Sequence, residues 1–523
     1  MRATGLLRRL TAAGAALLAV LASAPTEAAE GPVVTAAVQV TPDPAYVRAH
    51  SSPQIARNPS NGELVIVEGN PRGSRKCEVS ISRDDGRTWF PGGDPMDKRF
   101  PDCTLYGEFG PYATMAFASD GTLFMSYVGS EIAPLLRDDV PRHLFLARSS
   151  DGGRSFATTR VYEAPAANKD RGLNKSPTLA VDPSNPKRIY VGWGMGVFAA
   201  SKEKRRSMVA ASADGGQSFA EAVDVSEDQG GIFPSLAVGP DGVVHGVYWA
   251  RSFPVSPPNR PVPGIGEAGP VLPVFYVRST DQGKTWAREP VDPGSQRDNR
   301  SPVIVADPKS SAVYMTWWGN RNPNNAAPDF NEDRDIFFRA SHDGGKTWDE
   351  RITVNDDFRQ GGRQNQFDPG IAIAPTGRID IAWYDGRHSA SPADGIGSGL
   401  QDLYYSSSSD QGRTFTPNLR ITDRSIDRTI GIWGNNIGSR TNVGIASTED
   451  SVYFAWQDSR NGNRDNNSED IYAASLKLRG TTATSTSDDS LNWGRLVAGI
   501  ALGLGLAMVL AWALTRRSPV TRP

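Results

Sequence analysis

A chain of 523 residues with 38% hydrophobic and 22% charged residues has the composition of a folded protein, which excludes a disordered one. Its formal net charge is only −2 and no basic tract lies outside its two ends, which excludes the electrostatic footprint of a nucleic-acid binder. Its 53 glycines and 38 prolines favour short strands and turns over helices.

Residues 1–28 place Arg2, Arg8 and Arg9 before an apolar run that ends in Ala22-Ser23-Ala24, the arrangement of a signal peptide, by either the general or the twin-arginine route. Residues 33–40 (VVTAAVQV) then form a solitary strand with no partner nearby in the sequence.

From Ser82 onward one pattern, S-x-D-x-G-x-(S/T)-(W/F), recurs six times. Its aspartates are Asp84, Asp151, Asp214, Asp281, Asp343 and Asp410, spaced 67, 63, 67, 62 and 67 residues apart, a period suited to one propeller blade per copy. The reading is structural: Asp and Ser or Thr side chains bond nearby amides in a tight turn, Gly supplies an unusual backbone conformation, and the closing Trp or Phe is placed to bury its ring. Before each box come two strands joined by a turn, such as SPTLAVDP with RIYVGW or DPGIAIAP with RIDIAWYD. Such pairs occur seven times, a third strand follows each, and a fourth follows each box, so the predicted unit is a four-stranded blade. The last unit stops at DIYAASLKLRG without a box or a fourth strand, and residues 33–40 are expected to complete it. The expected fold is all-β, a seven-bladed propeller over residues 33–480, or six-bladed if a terminal unit is an irregular cap.

Residues 481–495 begin with a Ser/Thr/Asp-rich stretch and read as a stalk. Residues 496–514 carry no charge and are just long enough to cross a bilayer as a helix. Arg516, Arg517 and Arg522 follow, which predicts a cytoplasmic tail at 515–523 and a single-pass cell-membrane protein with its propeller outside. Gly499 and Gly503 leave the oligomeric state open.

In such a blade the strand 1–2 and 3–4 turns share one face, so the boxes lie there and the long loops (91–110, 129–142, 250–272, 318–334, 385–401, 422–441) gather on the other. Binding is expected on the loop face. Cys77 and Cys103 both fall on it and are predicted to form a disulfide in an oxidising compartment. A phrase ending strand 2 in three late blades, Trp317 to Arg321, Trp383 to Arg387 and Trp456 to Arg460, supplies guanidinium groups suited to carboxylates. Alternatively these arginines form interblade salt bridges with Asp385 and Asp458. The loop at 461–470 lacks the spacing of a calcium motif, so no metal or cofactor is expected.

The boxes resemble the Asp-box, or BNR, repeats of sialidases, over residues 33–480. Blade 1 is the most similar: residues 62–69 (GELVIVEG) followed by SRDDGRTW resemble a sialidase opening strand and its box. The resemblance implies three arginines on a substrate carboxylate, an Asp acid/base and a Tyr nucleophile activated by Glu. Here Ser51-Ser52-Pro53 stands where the family has Arg-Ile-Pro, and the loop at 70–76 lacks the expected Asp. Arg57 and Arg48 are the nearest substitutes for the missing arginine, and neither occupies its position. The candidate ligand-binding residues are therefore Arg321, Arg387, Arg460 and Arg57. The candidate catalytic residues are Asp385, Asp458 and Tyr384, with Tyr404 and Tyr405 more suited to packing in strand 3. Three functions follow: recognition of surface glycans or anionic ligands, a sialidase-type glycoside hydrolase with a rearranged site, or a noncatalytic assembly factor.

Overall fold

The computed structural model describes residues 31–478, apart from segments 104–112, 132–139, 166–173, 197–204, 228–230, 251–272, 293–298, 321–333, 358–364, 390–398 and 432–442. Seven antiparallel sheets follow one another along the chain. Blade 1 comprises Ser51–Arg57, Leu64–Gly69, Cys77–Ser82 and Phe90–Pro91; blade 2, Ala113–Phe117, Leu123–Gly129, His143–Ser149 and Ala157–Tyr162; blade 3, Lys175–Val181, Ile189–Met195, Arg206–Ser212 and Val223–Asp224. Blade 4 comprises Gly231–Val238, Val244–Ala250, Val274–Ser279 and Ala287–Asp292; blade 5, Asn299–Ala306, Val313–Asn320, Arg334–Ser341 and Ile352–Thr353; blade 6, Gln366–Ile373, Ile379–Asp385, Leu400–Ser408 and Leu419–Arg420. Blade 7 supplies Gly444–Ser447, Ser451–Asp458 and Asp470–Lys477.

The first strands of successive blades touch one another all the way round, including the last against the first, so the ring is closed and the count is seven. The fourth strand of blade 7 comes from the N-terminal segment. Val33–Val34 and Val38–Gln39 both pair antiparallel with Asp470–Lys477, and Val40 N donates to Ile471 O at 2.7 Å. Closure removes the exposed sheet edges of an open array.

First strands carry a recurring irregularity where they meet the loop face. Ser52, Ser176, Ser301 and Asp368 each precede a proline and have φ between 48° and 61°, and the strand register shifts at each. Proline has no N–H to give a ladder, and it is tolerated because the first strand is an edge of its sheet.

The six boxes form near-identical turns. In the first, the Ser82 hydroxyl donates to Asp84 Oδ1 (2.9 Å) and accepts from Gly86 N (2.9 Å), while Asp84 accepts from both Thr88 N (2.9 Å) and Thr88 Oγ1 (2.7 Å). The same four bonds recur around Asp151, Asp214, Asp281, Asp343 and Asp410. The closing ring reaches back to the preceding blade: Trp348 meets Tyr276 edge-on at 5.0 Å, and Phe415 meets Phe338 likewise at 5.0 Å. Glycine is required at 345, where φ is +79° and an added Cβ would overlap the Tyr276 ring.

Among the described residues no helix is long and apolar enough to cross a membrane. The predicted signal peptide (1–28), stalk (481–495), span (496–514) and tail (515–523) lie outside the described residues.

Candidate functional site on blade 1

One column of the second strands is buried in all seven blades, and six of its seven residues are aromatic: Tyr127, Trp193, Tyr248, Trp317, Trp383 and Trp456. In blade 1 this position is Glu68, and it is only 1% exposed. The residue directly across on the third strand is apolar or aromatic in the other blades (Phe145, Met208, Phe275, Phe337, Tyr404, Tyr472), whereas Glu68 faces Glu78. Two carboxylates in direct cross-strand register repel each other, and burial of one adds a desolvation cost.

His50, just before the first strand, completes the group. Its Nδ1 lies 2.9 Å from Glu68 Oε1 and 3.9 Å from Glu78 Oε2. Its Nε2 lies 3.4 Å from Asp43 Oδ2 and 3.4 Å from Asn70 Nδ2. In blade 3 the corresponding residues are Asn174 and Trp193, where the indole Nε1 donates to Asn174 Oδ1 at 3.1 Å. Blade 1 thus replaces an amide–aromatic pair with an imidazole–carboxylate pair. Burial disfavours a charged His50, but the charge and hydrogen bond of Glu68, with Glu78 beyond, outweigh it and raise its pKa. Burial, reinforced by Glu78, likewise raises the pKa of Glu68 against the pull of His50. Among the described residues Glu68 Oε2 has no hydrogen-bond partner. Outward from this cluster, a groove lined by Asp43, His50, Lys76, Glu78 and Asp94 opens to solvent.

The groove is bounded by the Cys77–Cys103 disulfide, whose Cα atoms are 5.7 Å apart. It ties the loop after blade 1 to the start of the third strand. Next to it Arg75 Nε donates to Asp102 Oδ2 at 3.1 Å.

The residues singled out from sequence have other surroundings. Asp385 is fully buried and accepts from Trp383 Nε1 (2.9 Å), from Arg387 N (2.9 Å) and from Arg387 Nε and Nη2 (3.0 and 2.8 Å). Asp458 repeats this with Trp456 Nε1 (3.0 Å), Arg460 N (2.8 Å) and Arg460 Nη2 (2.7 Å). The two guanidinium groups lie over the Tyr404 and Tyr472 rings, 4.0 and 4.1 Å from their centroids. Each makes a second ion pair, Arg387 with Asp356 (2.9 Å) and Arg460 with Asp423 (2.8 Å), and they share no partner. Asp385 and Asp458 are thus each paired within their own blade to the arginine two residues on, not between blades, whereas the second pairs, to Asp356 and Asp423, reach the connection from the preceding blade. Tyr384 is buried and accepts from Gln457 N of the next blade at 3.3 Å. Tyr405 donates to Asp380 at 2.6 Å. Arg57 ends the first strand of blade 1, at the strand 1–2 turn on the box face, and so is not a loop-face ligand. Arg48 closes the ring through a bidentate pair with Asp470 (2.6 and 2.8 Å). Arg321 lies outside the described residues.

Sequence reasoning missed His50 and Glu78, and it used Glu68 only as part of the opening-strand match. The signal that reveals them is the alignment of second strands, in which one column is aromatic six times and acidic once.

No protein-family model matches the chain, and no curated protein does. Among solved structures it is similar to an alpha-L-arabinofuranosidase of Fusarium graminearum in complex with arabinobiose, at 14% identity over 85% of this chain and 98% of that one, with a TM-score of 0.43. An alpha-L-arabinanase of Penicillium chrysogenum complexed with arabinobiose shows 14% identity over 67% and 94%, with a TM-score of 0.45. The phage phi92 endosialidase shows 13% identity over 85% of this chain and 69% of that one, with a TM-score of 0.46.

Proposed function

We propose that this sialidase-like propeller is exported, held at the cell membrane by residues 496–514, and recognises surface glycans through the groove of blade 1. The observation that carries the reading is the acidic exception in a repeated core column: Glu68 opposite Glu78, beside His50, opening into a solvent groove. Carboxylates, an imidazole and the Asn70 amide suit the hydroxyls of a sugar, which donate and accept hydrogen bonds. An anionic ligand fits less well, because Arg387 and Arg460 are each already paired. Recognition without turnover is favoured over hydrolysis because Asp385 and Asp458 are each held by an arginine of their own blade and Tyr384 is buried.

A glycan array probed with the purified full chain, alongside a fluorogenic glycoside panel, tests this. Binding to a defined subset of glycans, weakened by Glu78→Gln, with no turnover, is expected. A blank array would remove the recognition reading, and turnover abolished by the same substitution would establish a hydrolase in its place.

A further inference from the structure

Independently of any glycan, we propose that His50, Glu68 and Glu78 form a zinc site whose open coordination position faces the groove. Among the described residues this is the one group of three such side chains whose donor atoms all lie within 4.8 Å of one another. Zinc ligands at bond lengths of about 2.0–2.2 Å stand roughly 3.5 Å from each other in a tetrahedron. The separations from His50 Nδ1, 2.9 Å to Glu68 and 3.9 Å to Glu78, straddle that value.

Three further features point to a cation. The carboxylates of Glu68 and Glu78 sit in direct cross-strand register, an arrangement that a shared positive charge converts from repulsive to attractive. Glu68 Oε2 is buried and, among the described residues, has no hydrogen-bond partner, so an acceptor inside the cluster is left for a metal. Asp43 Oδ2 lies 3.4 Å from His50 Nε2, on the side of the imidazole away from the two glutamates. A carboxylate behind a histidine is the usual support of a metal-bound imidazole.

The donor set decides the metal class. One imidazole with two carboxylates suits zinc, whereas calcium and magnesium take oxygen ligands almost exclusively. Three protein ligands leave a fourth position for water or an incoming oxygen donor. His50 and Glu78, but not Glu68, line the groove, so that position lies on the solvent side.

The test is isothermal titration of the chelator-treated full chain with zinc chloride alone, repeated for Glu78→Gln and for His50→Gln. Glu78 has a side chain 35% exposed, so its amide variant retains the fold. One saturable zinc equivalent is expected, weakened at least tenfold in either variant, on the order of losing a metal ligand or its support. Cobalt binding should give a visible absorption band that zinc abolishes and excess calcium does not. Absence of saturable zinc binding by the wild-type chain, equal affinity in Glu78→Gln, or displacement of cobalt by calcium would each overturn the assignment.

Discussion

Glu68 and Asp385 are both buried carboxylates at the loop-face ends of second strands, and their surroundings assign them opposite roles. Asp385 accepts four hydrogen bonds, three of them from Arg387, whose guanidinium is 16% exposed and stacked on Tyr404. Such a pair supports the blade, and breaking it strands a buried charge. Arg387→Ala is therefore expected to lower unfolding free energy by on the order of 3 kcal/mol in urea titrations, with Arg387→Lys recovering only part because Lys lacks the planar fork. An unchanged urea midpoint in Arg387→Ala would sink the structural reading of this pair. Glu68, in contrast, keeps one oxygen without a hydrogen-bond partner among the described residues and faces a second carboxylate. The WxDxR recurrence was legible in the sequence, but a repeat marks both repeated binding and repeated packing, and only the hydrogen bonds separate them. The blade 1 cluster spans the approach to one strand, the end of a second and the start of a third, at spacings that match no metal motif, so no local pattern exposed it.

At the scale of the element, the Asp-box turn was fully readable because all its partners lie within seven residues of sequence. Its aspartates are half-buried in five of the six copies, and each accepts several hydrogen bonds. In Asp214, Asp281 and Asp410 the hydroxyl four residues on, then its backbone N–H, holds the pKa down to about 2. A folded pKa below the unfolded value of about 3.9 means that the ionised turn stabilises the protein above that pH. The contribution then fades as pH falls from about 4 toward 2. Melting temperatures should hence drop over that window, and Asp281→Asn should make the drop shallower while lowering stability at pH 7. A pH slope identical in the variant would show that the box carboxylates do not govern acid sensitivity. Loop conformation was not legible in the same way, since long connections owe their shape to the scaffold beneath them.

Over the whole molecule, ring closure followed from one unmatched strand at each end of the repeat, and the pairing of residues 33–40 with Asp470–Lys477 agrees. Cleavage of an export signal before residue 33 would leave that closure intact. The ring is repetitive enough that one blade serves as a control for another, and blade 1 is the blade that departs from the pattern. Where six blades fill a core column with Tyr or Trp, it accepts desolvated, mutually repelling groups, a feature of sites selected for ligand binding over stability. The most direct test is the melting temperature, in chelator, of a chain carrying the blade 3 residues in blade 1: His50→Asn, Glu68→Trp and Glu78→Met together. A melting temperature equal to or above that of the wild type is expected, because a buried ionic cluster replaced as a unit by packed groups is often neutral or stabilising. A marked fall would mean that these three residues hold blade 1 together, contradicting their assignment to a binding site.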